Sequence, residues 1–276
     1  MATLSTGDPR AADAPSAAPA GPRFHALVPC AGIGVRAGAG GPKQYAEVAG
    51  QPMVAWTLAA LAAVPEIARV RVVLAPDDAV FASLRAAATG AWPARVDATY
   101  RGGATRADTV LAGLAALREA GAAADDWVLV HDAARCLVTP QAVQALIAAC
   151  RDDPVGGLLA WPLADTLKQA GADDRVAATV PRAAKWAAQT PQMFRLGPLE
   201  AALRAALADP AIDVTDEASA VEAAGLAPRL VRGSLENFKL TWPDDFALAE
   251  RLLRSRAAAP SLPSVADASS TGTAPR

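Results

Sequence analysis

One stretch of the chain combines small residues with two cations in an order that suits phosphate chemistry. It runs Cys30, Ala31, Gly32, Ile33, Gly34, Val35, Arg36 and Ala37, then Gly38, Ala39, Gly40, Gly41, Pro42, Lys43 and Gln44. Small residues let backbone N–H groups approach phosphate oxygens that larger side chains would obstruct. Arg36 can fork across two oxygens, while Lys43 acts as a point charge. Together they suit a nucleoside triphosphate attacked at its α-phosphate, where charge must be met as it develops. Gly32 to Ala37 also satisfies the spacing of the dinucleotide fingerprint GxGxxG/A. That reading fails on context. Gly38, Gly40, Gly41 and Pro42 disfavour the helix the fingerprint must open, and no acidic ribose ligand follows about 20 residues later. A Walker loop fails as well, because Pro42 precedes Lys43 and Gln44 follows it. On glycine content alone the bland alternative is an ordinary surface loop.

Further candidates lie downstream. Asp132 follows the apolar run Trp127 to Val130, which places a carboxylate at a strand end. It could bind Mg²⁺, hold substrate hydroxyls, or simply cap a turn. His131 precedes it and reads as structural, and Arg135 as either a buried pairing partner or a site residue. Gly102, Gly103 and Arg106 to Thr109 open a helix, with Thr105 or Asp108 as candidate caps. Thr215, Asp216 and Glu217 read first as a helix start, with acidic residues at its positive end. Arg182 and Lys239, taken alone, are surface cations. Trp56, Trp161, Trp186 and Trp242 are scattered, which fits packing or an interface better than a stacking platform for nucleic acid.

The elements needed to position these residues are legible in the pattern. The 276 residues are 53% hydrophobic, 20% charged and only 5% aromatic, so the core is mostly aliphatic. Lys plus Arg number 26 against 28 acidic residues. That balance excludes a general phosphate-neutralising surface for nucleic acid or anionic lipid. No apolar run reaches the roughly 18 residues of a membrane span. Three cysteines without CxxC spacing point to a reducing, cytoplasmic setting. Apolar runs at Phe24 to Pro29, Val70 to Ala75, Val96 to Tyr100, Trp127 to His131, Gly157 to Pro162 and Arg229 to Val231 read as strands. Several are apolar on successive residues, as in a parallel sheet covered on both faces. Helical patterns fall between them at Met53 to Ala63, Ala79 to Ala88, Arg106 to Ala120, Pro140 to Cys150, Leu199 to Ala208, Glu217 to Ala224 and Asp244 to Arg254. The alternation predicts an α/β, Rossmann-like, doubly wound and mostly parallel sheet in residues 23–254. Residues 163–188 break the rhythm and predict a projecting hairpin arm. Residues 1–22 and 255–276, rich in Ala, Pro and Ser, are expected to be disordered tails.

An ordered set of segments resembles the 2-C-methyl-D-erythritol 4-phosphate cytidylyltransferase family of the non-mevalonate isoprenoid pathway. It comprises the loop with Arg36 and Pro42 to Tyr45, then Gly102-Gly103 with Arg106 to Val110, and Val130 to Arg135. Asp165-Thr166, Val180 to Arg182, Gln189 to Gln192, Thr215 to Ala218 and Glu236 to Thr241 complete it. The resemblance implies cytidylyl transfer from CTP to methylerythritol phosphate, with release of pyrophosphate and use of Mg²⁺ or another divalent cation. It implies catalytic roles for Arg36, Lys43, Arg182 and Lys239. For the nucleotide it implies contacts from Cys30, Ala31, Gly32, Gly34, Gly103, Arg106, Thr109, Asp132 and Ala133, with backbone groups and the Thr109 hydroxyl reading cytosine. For the acceptor it implies Asp132, Thr166, Arg182, Thr190 and Lys239, with Asp132 also holding metal. It further implies a homodimer whose arms interlock, and no nucleic-acid or membrane partner. Cys30, Cys136 and Ala104 depart from the family pattern, and the arm is the least similar section. The length leaves no expected room for a second, cyclising domain. A cytidylyl- or uridylyltransferase acting on another sugar or polyol phosphate is the nearest alternative.

Overall fold

Phe24 to Cys30 is apolar almost throughout because both of its faces are covered. In the computed structural model, which describes residues 21–32, 41–87 and 93–258, Ala26, Val28 and Cys30 face one apolar core and Leu27 faces another. The elements in chain order are β1 (Phe24–Cys30), a 3-10 turn (Lys43–Tyr45), β2 (Glu47–Val48), β3 (Gln51–Pro52), α1 (Met53–Ala62), β4 (Ile67–Leu74) and α2 (Val80–Ala87). They continue with β5 (Val96–Thr99), α3 (Arg106–Glu119), β6 (Trp127–Val130), α4 (Pro140–Cys150), β7 (Gly156–Pro162), β8 (Leu167–Ala170) and β9 (Val176–Val180). Last come β10 (Trp186–Arg195), α5 (Leu196–Ala208), α6 (Glu217–Ala223), β11 (Arg229–Arg232) and α7 (Pro243–Ala258).

Among the described residues the main sheet runs β11-β7-β10-β6-β1-β4-β5. Every neighbouring pair is parallel except the two made by β10, which is antiparallel to both β6 and β7. The expected mostly parallel, doubly wound α/β fold is therefore present. Alternate residues feed opposite layers: Val70, Val72 and Leu74 of β4 meet α1 and α4 residues, whereas Val73 meets α3. Chain order runs outward from β1 to β4 and β5, then returns to β6 on the other side. That reversal opens a crevice at the carboxyl ends of β1 and β6, where open α/β sheets hold ligands.

Several expectations need correction. The sequence did not reveal β10, because Pro191 and the polar Gln189, Thr190 and Gln192 argue against a central strand. Pairing with β7 slips between Ala188 and Gln192, which accommodates the proline, and the buried polar side chains find internal partners. The short β2–β3 hairpin, turning through Ala49 and Gly50 at positive φ, is also additional. The hairpin expected in residues 163–188 exists as β8 paired with β9, but Trp186 to Ala188 already belong to β10 and pair with β7. The excursion therefore ends at Lys185. At the other end α7 continues through Ala258, past the boundary expected at Arg254. Of the disordered tails expected at 1–22 and 255–276, residues 1–20 and 259–276 lie outside the described residues.

Candidate active site

The carboxyl ends of β1 and β6 bring two loops side by side. The β1–β6 ladder extends by one bond, His131 N–H donating to the Leu27 carbonyl, which carries Asp132 to the edge beside Ala31. A third loop closes against them: Gly102 N–H donates to the Leu74 carbonyl at 2.7 Å. Any Cβ at Gly102 would fall 2.2 Å from the Ala31 Cβ, so this close approach demands glycine. The three loops enclose a cleft of about 260 Å³. Its walls include Cys30, Ala31, Gly32, Lys43, Gly103, Arg106, Thr109, Asp132, Ala133 and Lys239. Residues separated by as much as the distance from β1 to the segment before α7 thus meet in one place.

Asp132 is the hub. Its Oδ1 accepts from Arg106 Nε at 2.9 Å and its Oδ2 pairs with Lys239 Nζ at 2.8 Å. Burial alone would raise its pKa, but Arg106 and Lys239 outweigh burial and hold the carboxyl well below the usual carboxylate range. Arg106 in turn gives Nη1 and Nη2 to the two oxygens of Glu217, at 2.7 and 3.0 Å. Burial disfavours its charge, yet Glu217 and then Asp132 push its pKa up. Glu217 is fully buried, and burial raises its pKa against the pull of Arg106.

Lys43 is presented by the 3-10 turn. Gln44 donates to the Cys30 carbonyl at 3.0 Å, and Tyr45 donates to Asp78, which also caps the start of α2. Lys43 Nζ donates to the Leu240 carbonyl, on the same segment that carries Lys239. That segment is docked by Leu240 N–H to the Ala134 carbonyl and by Arg135 to the Asn237 carbonyl. Arg135 also reaches the Ala188 carbonyl, so its role is to pin the segment and β10 to the loop after β6.

Two predicted residues stand behind the cleft or shape it. Thr190 is buried; its hydroxyl oxygen accepts from Asp132 N–H at 3.0 Å and lies 2.9 Å from His131 Nδ1. Burial pushes His131 down to about 4, so the neutral ring accepts from Thr190 and donates from Nε2 to the Arg135 carbonyl. Thr109 accepts from Gly103 N–H and donates to the Thr105 carbonyl, fixing the loop, while Thr105 and Asp108 form a reciprocal cap on α3. Thr166 and Arg182 lie on the excursion, away from the cleft lining. Gly34 and Arg36 lie outside the described residues. Glu217, Gln44, Tyr45 and Asn237 are site supports that residue type alone did not single out; an acid at a helix start was the available signal for Glu217.

Comparison with known proteins points to one family. Residues 24–255 match the family model described as IspD, 2-C-methyl-D-erythritol 4-phosphate cytidylyltransferase. A bifunctional IspD/IspF enzyme of Albidiferax ferrireducens is 58% identical over 242 residues, which cover 88% of this chain and 56% of that protein. The chain thus spans little more than half of that relative. A 2-C-methyl-D-erythritol 4-phosphate cytidylyltransferase of Paraburkholderia phytofirmans is 53% identical over 240 residues, covering 86% of this chain and 98% of the relative. A crystal structure of a 4-diphosphocytidyl-2C-methyl-D-erythritol synthase aligns with TM-score 0.72 and 38% identity, over 84% of this chain and 99% of that one. With a family match spanning nearly all of the described core, the chain belongs to the 2-C-methyl-D-erythritol 4-phosphate cytidylyltransferase (IspD) family.

Proposed function

We propose that this cleft transfers the cytidylyl group of CTP to 2-C-methyl-D-erythritol 4-phosphate. The products are 4-diphosphocytidyl-2-C-methyl-D-erythritol and pyrophosphate. The observation that carries the reading is the gathering of Lys43, Arg106, Lys239 and Asp132 in one cleft, with Arg106 and Lys239 paired to Asp132, beside the small-residue loop Cys30 to Gly32. An acceptor phosphate oxygen attacks the α-phosphorus of CTP. The bond to the β-phosphate oxygen breaks and pyrophosphate leaves with the electron pair. Positioning and charge neutralisation do the work. Lys43 meets the charge that grows on the triphosphate. Arg36, in the same loop, supplies a second cation on the strength of its sequence position. No thiol takes part: burial pushes Cys30 up, Cys136 up to about 12 and Cys150 up to about 11, so all three stay protonated at neutral pH.

Lys239 is half-exposed and already tied to Asp132, so an incoming acceptor phosphate would find a cation whose direction is set. Thr190 supports this side by fixing the Asp132 backbone. Arg182 and Thr166 sit on the excursion and would serve the acceptor site of a second copy. We infer a homodimer joined through this arm, on which the exposed Val176 offers apolar surface suited to burial.

The donor set also fits a divalent cation shared with substrate. Among the described residues no cluster of three or more acidic, His or Cys side chains converges, so a metal would not be held by the protein alone. Asp132 offers one hard carboxylate, and Mg²⁺ is usually held by one or two carboxylates plus phosphate oxygens. Bound there, it would neutralise phosphate charge. A cytoplasmic setting is supported by three buried cysteines without a disulfide. Among the described residues no helix is long and apolar enough to cross a membrane.

Pyrophosphate release tests the reading, using Mg²⁺ with CTP, UTP, ATP or GTP and with or without methylerythritol phosphate. Release with CTP only when that acceptor is present is expected. Release with another nucleotide or another polyol phosphate instead would overturn the substrate assignment.

A further inference from the structure

Glu217 contributes no surface to the cleft, yet it determines the geometry of a residue that does. We propose that Glu217 is a positioning residue: it fixes the plane of the Arg106 guanidinium so that Arg106 presents to the nucleotide and to Asp132 in one orientation. The inference rests on the proposed nucleotide site. Of a guanidinium's five N–H donors, Glu217 takes two through a fork, one from each Nη, and Asp132 takes the Nε donor. A fork sets orientation as well as attraction. Two N–H groups remain, and Arg106 lines the cleft.

The carboxylate is itself held in place. Gln192 on β10 accepts from Ala218 N–H and donates to Asp216, both at 2.8 Å, clamping the first turn of α6 to the sheet. Asp216 and Ser219 cap that turn reciprocally. The chain of contacts therefore runs from a central strand through Glu217, Arg106 and Asp132 to Lys239, joining the nucleotide side to the acceptor side. A buried ion pair is weak evidence of stabilisation, because its desolvation cost offsets its attraction. Orientation is what this one supplies. Glu217 does balance charge, since Asp132 is shared between Arg106 and Lys239, but only a fork fixes the plane of the guanidinium as well.

The test is a double-mutant cycle read in CTP affinity by titration calorimetry and in turnover. Glu217→Gln should weaken CTP binding about tenfold and lower kcat, with the variant still folded by circular dichroism. In the Arg106→Gln background the same change should add less than about twofold, since the residue it positions is gone. A general loosening of the fold would cost as much in either background. Glu217→Asp keeps the charge but draws the carboxylate back by one methylene from the two Nη groups, so its smaller loss should vanish likewise in Arg106→Gln; it decides the matter should Glu217→Gln not fold. An unchanged CTP affinity in folded Glu217→Gln, or an equal loss in both backgrounds, overturns the proposal. Wild-type protein that binds CTP but serves no acceptor overturns the proposed function and leaves the affinity cycle to decide Glu217. Wild-type protein that binds no CTP overturns both.

Discussion

Arg106 and Lys239 take one oxygen each of Asp132, so this carboxylate orders both cations while each keeps N–H donors for substrate. Lys43 and Lys239, which serve opposite sides of the proposed reaction, are separable by kinetics. Lys43→Ala removes charge where the triphosphate reacts, and kcat should fall about 10²–10³-fold with a modest change in the KM for CTP. Lys239→Ala should instead raise the KM for methylerythritol phosphate at least about tenfold while CTP binding changes little, as steady-state kinetics with each substrate varied will show. The cleft residues were legible because their types announce phosphate chemistry and their order matches the family. The residues that hold them were not. Gln44 and Asn237 are neutral polar groups whose partners lie far along the chain, and no local spacing encodes such contacts.

Elements with continuous apolar runs or clear helical periods were readable, and Pro140–Cys150 agrees to the residue. The strand β10 escaped because its burial is satisfied by polar side chains. Gln192 bonds to α6, and Gln189 donates to the Ser234 carbonyl. The 3-10 turn carrying Lys43 depends on a neighbouring element through Tyr45 and Asp78. The loop after β5 depends on steric fit, which yields a prediction at this scale. Gly102→Ala forces a Cβ against Ala31 and the Leu74 carbonyl. It should destabilise the fold by about 1–3 kcal/mol in chemical denaturation. CTP binding should weaken with it, because Ala31 and Gly103 share the cleft.

Across the whole molecule, acid stability should reflect buried groups far from the cleft. Burial lowers the pKa of His25, against the opposing pull of Asp126. The unfolded chain takes up that proton below about 6.5, so stability falls as pH drops through that value. Burial would raise the pKa of Asp126, but the N–H groups of Arg23 and Ala123 and the side chains of His25 and Arg23 together lower it. Its stabilisation is present above the unfolded value of about 3.9 and is lost on further acidification. Thermal melts should show Tm declining from near pH 6.5 and more steeply below about 4; Asp126→Asn should flatten the lower limb. The proposed assembly has its own signature. If the arm completes a neighbour's site, mixing Arg182→Ala with Lys239→Ala at methylerythritol phosphate concentrations well below the KM of either variant should restore part of the activity, since a mixed pair then contains one intact site. The central claim is most directly tested by following CTP and methylerythritol phosphate with the protein and Mg²⁺ by phosphorus NMR. The account predicts one cytidine diphosphate adduct formed for each pyrophosphate released, and no CTP consumed without the acceptor. CMP formed at the same rate with or without methylerythritol phosphate, or no adduct at all from folded protein, would contradict it.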